Sequence, residues 1–340
     1  MDGRRPTYRF HPGRWRTAAL SVSLLLLILA TTATASSGDR DSIYTNCVQK
    51  CRFTSCRNQP AADESLPLSL RLLQWTCPQN CQYECMHDLT SLNVQTGERV
   101  QQFHGKWPFI RLWGVQEPAS VLFSVLNGWM HFRGYRKLRT LSPRWYPMRR
   151  VLLLNALLGV NAWIWSTVFH ARDFPITEKL DYFSAIGSLL MGSYLALTRA
   201  FELYRDPATS TPTRRGLAYA MLAFYAAHVS YLTFWPFDYG YNMKAGIVVG
   251  AVANLAWVSW AVRNWRTRPY AWKIVVMVVA ITAAMALEVL DFPPWMWVLD
   301  AHALWHAATI PLVRFYYEFL VDDVRWEVRI GKGKGKVAVQ

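Results

Sequence analysis

The segment GLAYAMLAFYAAHVSYLTFW, residues 216–235, contains no Asp, Glu, Lys or Arg. A second segment, AGIVVGAVANLAWVSWAV at residues 245–262, contains none either. A helix of about twenty residues rises about 30 Å, which is the thickness of the hydrocarbon core of a bilayer. Both segments therefore predict helices that cross a membrane.

The rest of the chain extends this pattern. Hydrophobic residues make up 52% of its 340 residues and charged residues only 17%, against about 25% charged residues in typical proteins. A soluble core accommodates one or two long apolar segments, whereas this chain has seven. They lie at residues 114–132, 151–170, 181–198, 216–235, 244–262, 273–290 and 298–320. We therefore predict an all-α membrane protein built on a seven-transmembrane helix bundle.

The N-terminus, residues 1–35, has the composition of a secretory signal peptide. Basic residues precede a leucine-rich segment at 18–30, and Ala33-Thr34-Ala35 supplies a small-residue cleavage pattern. The alternative is an uncleaved anchor, although the apolar segment is short for a membrane span. In both cases the residues that follow enter the lumen of the secretory pathway.

All six cysteines lie in a segment that we predict to form a disulfide-rich lumenal domain, residues 36–112. An even, clustered set behind a signal peptide indicates disulfides, and the spacing differs from the two-residue spacing of zinc ribbons. Two pairs are spaced i, i+4, which places each pair on one face of a helix. Six cysteines allow 15 connectivities, and two antiparallel helices favour one of them. Its pairs are Cys47–Cys85, Cys51–Cys81 and Cys56–Cys77.

The loops between the apolar segments orient the chain through the positive-inside rule. Alternate loops and the C-terminal tail hold twenty Lys and Arg residues, whereas the loops on the other side hold only Arg172 and Lys179. The basic side is therefore predicted to be cytosolic, which agrees with a lumenal cysteine-rich segment. We divide the remaining chain into a transmembrane domain at 113–321 and a cytosolic basic tail at 322–340.

This distribution also accounts for most of the net charge of +15. A basic chain is often a nucleic-acid-binding chain, but here the charge follows the topology of the loops. The composition therefore argues against a nucleic-acid partner and favours membrane lipids.

Ionisable residues within membrane segments are costly and usually functional. Here Ser166 and His170 end the second segment, Asp181 begins the third, and His302 and His306 begin the seventh. Because successive segments run in opposite directions, all five residues are predicted to lie in the lumenal half of the bilayer. The i, i+4 spacing of His302 and His306 places both imidazoles on one helix face.

Three imidazoles from two helices resemble a catalytic zinc site with an open fourth position. Zinc lowers the pKa of bound water to about 7. We therefore expect His170, His302 and His306 to bind Zn²⁺. Asp181 is then the candidate base, and Ser166 a donor to water or to a developing oxyanion.

A structural role is the alternative for each of these polar residues. Histidines at i, i+4 also serve as hydrogen-bond partners between helices. His228 has no second histidine at i, i+4 and is better interpreted as a structural residue inside the helix bundle. Glu117, Glu288 and Asp291 lie at the ends of apolar segments. They are candidates for outer ligands of the site, with an interfacial position as the default interpretation.

Long motifs around these residues resemble the Per1-like family of the CREST superfamily of membrane hydrolases. They are FHGKWPF at 103–109, QEPAS at 116–120, NAWIWSTVFHARD at 161–173 and LDAHALWH at 299–306. The resemblance covers about residues 39–323 and includes the six cysteines. It implies that His170, His302 and His306 match the zinc ligands of the superfamily. Ser166 and Asp181 match its water-positioning pair.

The resemblance implies a phospholipase A2-type hydrolase that remodels the lipid of GPI anchors. The sn-2 acyl chain of the anchor's phosphatidylinositol would be released, which makes GPI-anchored proteins and their lipid the expected partners. The expected location is the endoplasmic reticulum membrane, with the Golgi membrane as the alternative. Two further functions stay open, a non-catalytic escort of GPI-anchored proteins and a seven-span receptor.

The predicted topology can be tested by labelling. Single cysteines introduced at residues 133–150 and 236–243 should react with an impermeant reagent from opposite sides of sealed microsomes, because the first loop is basic and the second has no Lys or Arg. The unsubstituted chain is the control. Labelling from the same side would show that one span is miscounted.

Overall fold

The computed structural model describes residues 36–205 and 207–337, and this part of the chain is helical without a β-strand. The all-α class is therefore confirmed. The predicted signal peptide at 1–35 lies outside the described residues.

Residues 36–112, which hold the three disulfides and are called the disulfide domain, contain two long helices, α1 (Ser42–Ser55) and α4 (Cys77–Thr96), which pack against each other. Two short helices, α2 (Ala61–Glu64) and α3 (Leu68–Leu72), connect them. The three predicted disulfides are confirmed. They are Cys47–Cys85, Cys51–Cys81 and Cys56–Cys77.

Seven long helices follow the disulfide domain. They are α5 (Pro118–Leu141), α6 (Arg149–Ala171), α7 (Pro175–Ala200), α8 (Pro207–Phe234), α9 (Tyr239–Asn264), α10 (Ala271–Leu290) and α11 (Ala301–Val337). Six of them form a closed sequence of contacts, in which α5 packs on α6, α6 on α7, α7 on α9, α9 on α10, α10 on α11, and α11 on α5. Helix α8 packs against α7 outside this ring.

Five of these helices, α6 to α10, are long and apolar enough to cross a membrane. The chain is therefore a multi-pass membrane protein, but the count of seven spans is not confirmed. Helix α5 carries buried polar residues such as Ser124 and Asn127, and α11 carries the ion pair Arg314–Glu318 in its middle. These residues lower the apolar character of the first and last long helices.

The ends of α5 and α11 differ from the predicted segments. Helix α5 begins at Pro118 rather than at residue 114, because the preceding Leu112–Val115 turn places Gly114 at a φ of 84°. Helix α11 begins at Ala301, where the Asp300 carboxylate accepts a hydrogen bond from the Ala303 N–H at 2.8 Å. It continues through the predicted boundary at 321, so the start of the tail extends the last helix.

A buried ion-pair network joins α7, α11 and the α9–α10 connection at the end of the bundle that is predicted to be cytosolic. The Arg199 guanidinium donates two hydrogen bonds to the Asp323 carboxylate, at 2.7 and 2.8 Å. Arg199 and Arg268 both contact Glu327, at 3.1 and 2.6 Å. The Tyr270 hydroxyl donates to Asp323 at 2.8 Å. Two guanidinium groups and two carboxylates thus neutralise each other where water has little access.

Removing one member of this network should be strongly destabilising. Asp323→Ala leaves two buried guanidinium groups facing one carboxylate, and breaking a buried pair in this way costs about 3–5 kcal/mol. Arg325→Ala is the control at the same end of the bundle, since Arg325 is largely exposed and lies 3.7 Å from its partner Asp322. Its loss should cost less than about 1 kcal/mol. Denaturant unfolding in detergent measures the free energy of unfolding of both variants. Equal values would contradict the stabilising role of the buried ion-pair network.

Candidate metal centre

Three histidines meet between α6 and α11 at the end of the bundle that carries the disulfide domain. His170 lies in the last turn of α6, and His302 and His306 lie in the first turns of α11. The His302 Nε2 atom lies 3.3 Å from His170 Nε2 and 2.9 Å from His306 Nε2. The structure therefore brings together the three predicted metal ligands. His170 and His306 are buried, whereas the side chain of His302 is 35% exposed.

The second ring nitrogen of each histidine has its own partner. His170 Nδ1 donates to the Glu117 carboxylate at 2.7 Å, and His302 Nδ1 donates to the Glu288 carboxylate at 2.8 Å. His306 Nδ1 lies 3.0 Å from the Ser124 hydroxyl. Carboxylate and hydroxyl partners of this kind orient metal-binding histidines and raise their basicity.

This donor set fits a metal ion. When the Nδ1 atoms carry protons, each Nε2 atom presents a lone pair, and the three lone pairs face one another within a single cluster. A cation between the rings would stabilise such an arrangement of lone pairs. Three imidazole nitrogens are typical of zinc. His170, His302 and His306 are therefore the residues that could hold it.

Two of the outer partners are Glu117, the N-cap residue of α5, and Ser124 within α5. Ser124 was not predicted from the sequence. The signal is a periodic polar stripe, with Glu117, Ser120, Ser124, Asn127 and His131 spaced alternately three and four residues apart. This spacing places all five on one helix face.

Three residues of the stripe, Ser124, Asn127 and His131, contact α11, so that the first and last long helices are joined by hydrogen bonds around the histidines. The Asn127 amide donates to the His306 carbonyl oxygen at 2.8 Å, and His131 Nδ1 lies 2.9 Å from the Tyr317 hydroxyl. Glu117 and Glu288, for which an interfacial position was the default interpretation, each contact a histidine of the cluster. These contacts favour the alternative interpretation of both residues as outer partners.

Ser166 lies close to the cluster but contacts it indirectly. Its hydroxyl lies 3.0 Å from the Ser124 hydroxyl, which in turn neighbours His306. If His306 Nδ1 carries the proton, the Ser124 hydroxyl accepts that hydrogen bond and its own proton can be directed to Ser166. In that arrangement the proton of Ser166 is available to a third group. The contact with Ser124 is thus compatible with the donor role that the sequence suggests.

Asp181 lies in the second turn of α7, close enough to interact electrostatically with His170 and His302. It does not belong to the group of converging ligand atoms. No side chain in the described part of the structure donates a hydrogen bond to its carboxylate, so its oxygens are free to accept a proton.

Lys106 extends the site into the disulfide domain. Its ammonium group lies 2.5 Å from Glu117 and 3.1 Å from Asp173. Burial by itself would lower the pKa of Lys106, but the two carboxylates outweigh this effect and raise it. Lys106 therefore stays charged and compensates Glu117.

Two other candidates lie elsewhere. His228 is buried on α8, and its Nδ1 atom lies 3.3 Å from the Tyr241 hydroxyl. Asp291 accepts hydrogen bonds from Trp107 and Gln102 at the junction with the disulfide domain. Neither residue has a contact with the histidine cluster among those of the described residues, where the Nε2 atom of His228 has no hydrogen-bond partner.

Residues 67–324 match the family model described as the Per1-like family. The chain belongs to the Per1-like family. It is 42% identical over 308 residues to a protein of Xenopus tropicalis named "GPI-specific phospholipase A2-like PGAP3", covering 90% of this chain and 96% of the relative. A protein of Schizosaccharomyces pombe named "Protein PER1 homolog" is 42% identical over 306 residues, covering 89% and 91%. No solved structure matches the chain.

A human relative in this comparison, also named "GPI-specific phospholipase A2-like PGAP3", is 40% identical over 323 residues. These residues cover 94% of this chain and 99% of the relative. The residues that match the Per1-like model, 67–324, begin within the disulfide domain and continue through the bundle. They include Lys106 and the three histidines of the cluster.

The outer partners of the cluster can be tested through metal affinity. Glu288→Gln replaces a charged acceptor with a weaker neutral one, and we expect the affinity for zinc to fall about 10–100-fold. Competition with a chelator on the purified protein measures the change. Asp291→Asn is the matched control, since Asp291 contacts Gln102 and Trp107 instead of a histidine. An unchanged affinity for zinc in the Glu288 variant would contradict the role of Glu288 as an outer partner of the metal-binding histidines.

Proposed function

We propose that the protein hydrolyses the sn-2 acyl ester of the phosphatidylinositol in GPI anchors and releases a lyso-GPI lipid. The observation that carries the proposal is the convergence of three imidazole Nε2 atoms beside a free carboxylate. The names of the relatives, which refer to a GPI-specific phospholipase A2, support the class of substrate.

His170, His302 and His306 would hold the metal, for which zinc is the best candidate. Zinc supplies Lewis-acid chemistry, since it lowers the pKa of a coordinated water and polarises an ester carbonyl. Glu117, Glu288 and Ser124 keep the rings in the protonation state and orientation that metal binding requires.

Two residues would act on the ester itself. Asp181 accepts a proton from the attacking water and returns it to the leaving glycerol oxygen. The Ser166 hydroxyl donates a hydrogen bond to the ester carbonyl oxygen as it gains negative charge. The new bond forms between the water oxygen and the acyl carbon, and the bond from that carbon to glycerol breaks. The products are a fatty acid and the lyso lipid.

Substrate access follows from the exposure of the three histidines. His302 of α11 is the most exposed of them. Its ring contacts Glu288, the neighbouring side chain on α10. A lipid that approaches His302 from the membrane would keep its acyl chain in the apolar phase while its ester reaches the cluster.

The proposal includes a topology and a location. Helices α5 and α11 cross the membrane together with the five apolar helices, which gives seven spans and a lumenal disulfide domain. The histidine cluster then lies in the lumenal half of the membrane, where GPI lipids present their headgroups. The endoplasmic reticulum is the proposed compartment and the Golgi the alternative. GPI-anchored proteins and their lipid are the partners.

Variants of the site should differ in a defined order. His306→Ala removes a metal ligand and should abolish acyl release from a defined GPI lipid. Asp181→Asn should retain zinc but lose about 10²–10⁴-fold in rate, because an amide does not accept the proton. Ser166→Ala should lose less, since one neutral donor is removed. Acyl release and metal content are measured on the same purified samples.

The variants also separate the alternatives. Normal lipid remodelling by all three folded variants would favour a non-catalytic escort of GPI-anchored proteins. Loss of zinc in Asp181→Asn with retention of zinc in His306→Ala would reverse the assigned roles. His228→Ala is the control, because His228 is a buried histidine outside the cluster.

A further inference from the structure

A cavity of about 110 Å³ lies between the disulfide domain and the bundle. One wall comes from α4, and the other comes from the segment 103–116 and from Asp173 after α6. A cavity measured in this way needs about 10–15 Å³ to hold one water molecule, so this one accommodates a small polar molecule.

The cavity borders a stack of two guanidinium groups on one indole. The Arg111 guanidinium lies 3.4 Å from the centre of the Trp75 ring, and that of Arg172 lies 3.7 Å from it. At these distances two such groups do not fit on one face, so they occupy opposite faces. Arg111 also stacks on Tyr83 at 4.0 Å and lines the cavity. The Trp75 Nε1–H donates to the Gly114 carbonyl oxygen at 2.8 Å, which fixes the indole.

No carboxylate forms a direct ion pair with this stack among the described residues, although Glu84 and Asp173 act on it at longer range. Among the described residues, neither Arg111 nor Arg172 has an ion pair within 4.0 Å, and the closest polar partners of their side chains are the amide oxygens of Asn80 and Gln79 and the Asp173 carbonyl. Arg172 is buried, and its Nε–H has no partner in the described structure. Burial, together with the charge of Arg172, lowers the pKa of Arg111 to about 9.

The remaining polar groups of the lining are mostly donors. Gln82 has no side-chain hydrogen bond within the described residues, and Gln116 uses only its amide oxygen, which accepts from the Asp173 N–H at 3.1 Å. Asp173 is the one acidic side chain among the described lining residues, and it is paired with Lys106. A ligand that enters therefore meets free amide and guanidinium N–H groups and needs several oxygen acceptors.

Residues that line the cavity also contact the surroundings of the histidine cluster. Lys106 lines the cavity and contacts Glu117, which holds His170. Asp173, which lies on the same wall and pairs with Lys106, follows His170 by three residues. Two side-chain contacts, that of Lys106 with Glu117 and that of Glu117 with His170, therefore join the wall of the cavity to the cluster.

We propose that this cavity binds a phosphorylated polyol, with the phosphate on Arg111 and the hydroxyl oxygens on Gln82 and Gln116. Charge-assisted hydrogen bonds from guanidinium groups to phosphate are the strongest contacts that these residues offer. The headgroup of an inositol phospholipid has this chemistry. Its identification with the substrate of the histidine cluster rests on the proposed function, whereas binding in the cavity does not.

Binding is tested with myo-inositol 1-phosphate, which has no acyl ester, on the full chain in phosphatidylcholine nanodiscs by calorimetry. We expect a Kd below about 1 mM and binding at least about tenfold tighter than that of myo-inositol or inorganic phosphate. Arg111→Gln should weaken binding by about tenfold or more. Gln82→Ala should weaken it severalfold without affecting folding, since its side chain has no described hydrogen bond. Arg71→Gln is the control of equal charge on the exposed surface of the same domain.

The binding experiment can fail or succeed independently of the acyl-release assay. The disulfide pattern and thermal midpoint show whether each variant is folded. No binding to the unsubstituted protein, equal binding of myo-inositol, or unchanged binding in folded Arg111→Gln would overturn the proposal. Competition by phosphatidylinositol in the nanodisc would assign the site to a lipid headgroup, and its absence would overturn that assignment. Binding without acyl release would instead contradict only the proposed function.

Discussion

The carboxylate of Glu117 is the contact on which the site depends. It is buried and binds two donors at once, Lys106 of the disulfide domain at 2.5 Å and His170 of α6 at 2.7 Å. A buried carboxylate without such partners would be costly. The backbone reinforces the same junction, since the Glu117 N–H donates to the His170 carbonyl oxygen at 3.0 Å. The disulfide domain, the start of α5 and the end of α6 are therefore held together at one point.

The polar face of α5 explains why this helix is less apolar than its neighbours. A buried polar side chain is costly unless it has a partner inside the protein. Ser124 and Asn127 of α5 have such partners, since both contact His306 of α11. The residues that weaken the hydropathy of the first long helix are thus the same residues that support the histidine cluster.

Helix α11 is fixed near both of its ends. Its first turns carry His302 and His306, which are held by Glu288 and Ser124. About 30 Å further along the helix, Asp323 binds Arg199 of α7. An axial shift or rotation of α11 would disturb both sets of contacts. The buried ion pairs at one end therefore help to set the register of the histidines at the other.

Local spacing in the sequence determined the helical class, the three disulfides and the pairing of His302 with His306. Each of these features depends on the helical period or on clustering along the chain, and both can be read directly from the sequence. The contacts of Glu117 with Lys106, of Glu288 with His302, and of Ser166 with Ser124 were decided only by the tertiary structure. They join different helices, and the rotation and register that bring such groups within 3 Å follow from packing of the whole bundle rather than from local periodicity.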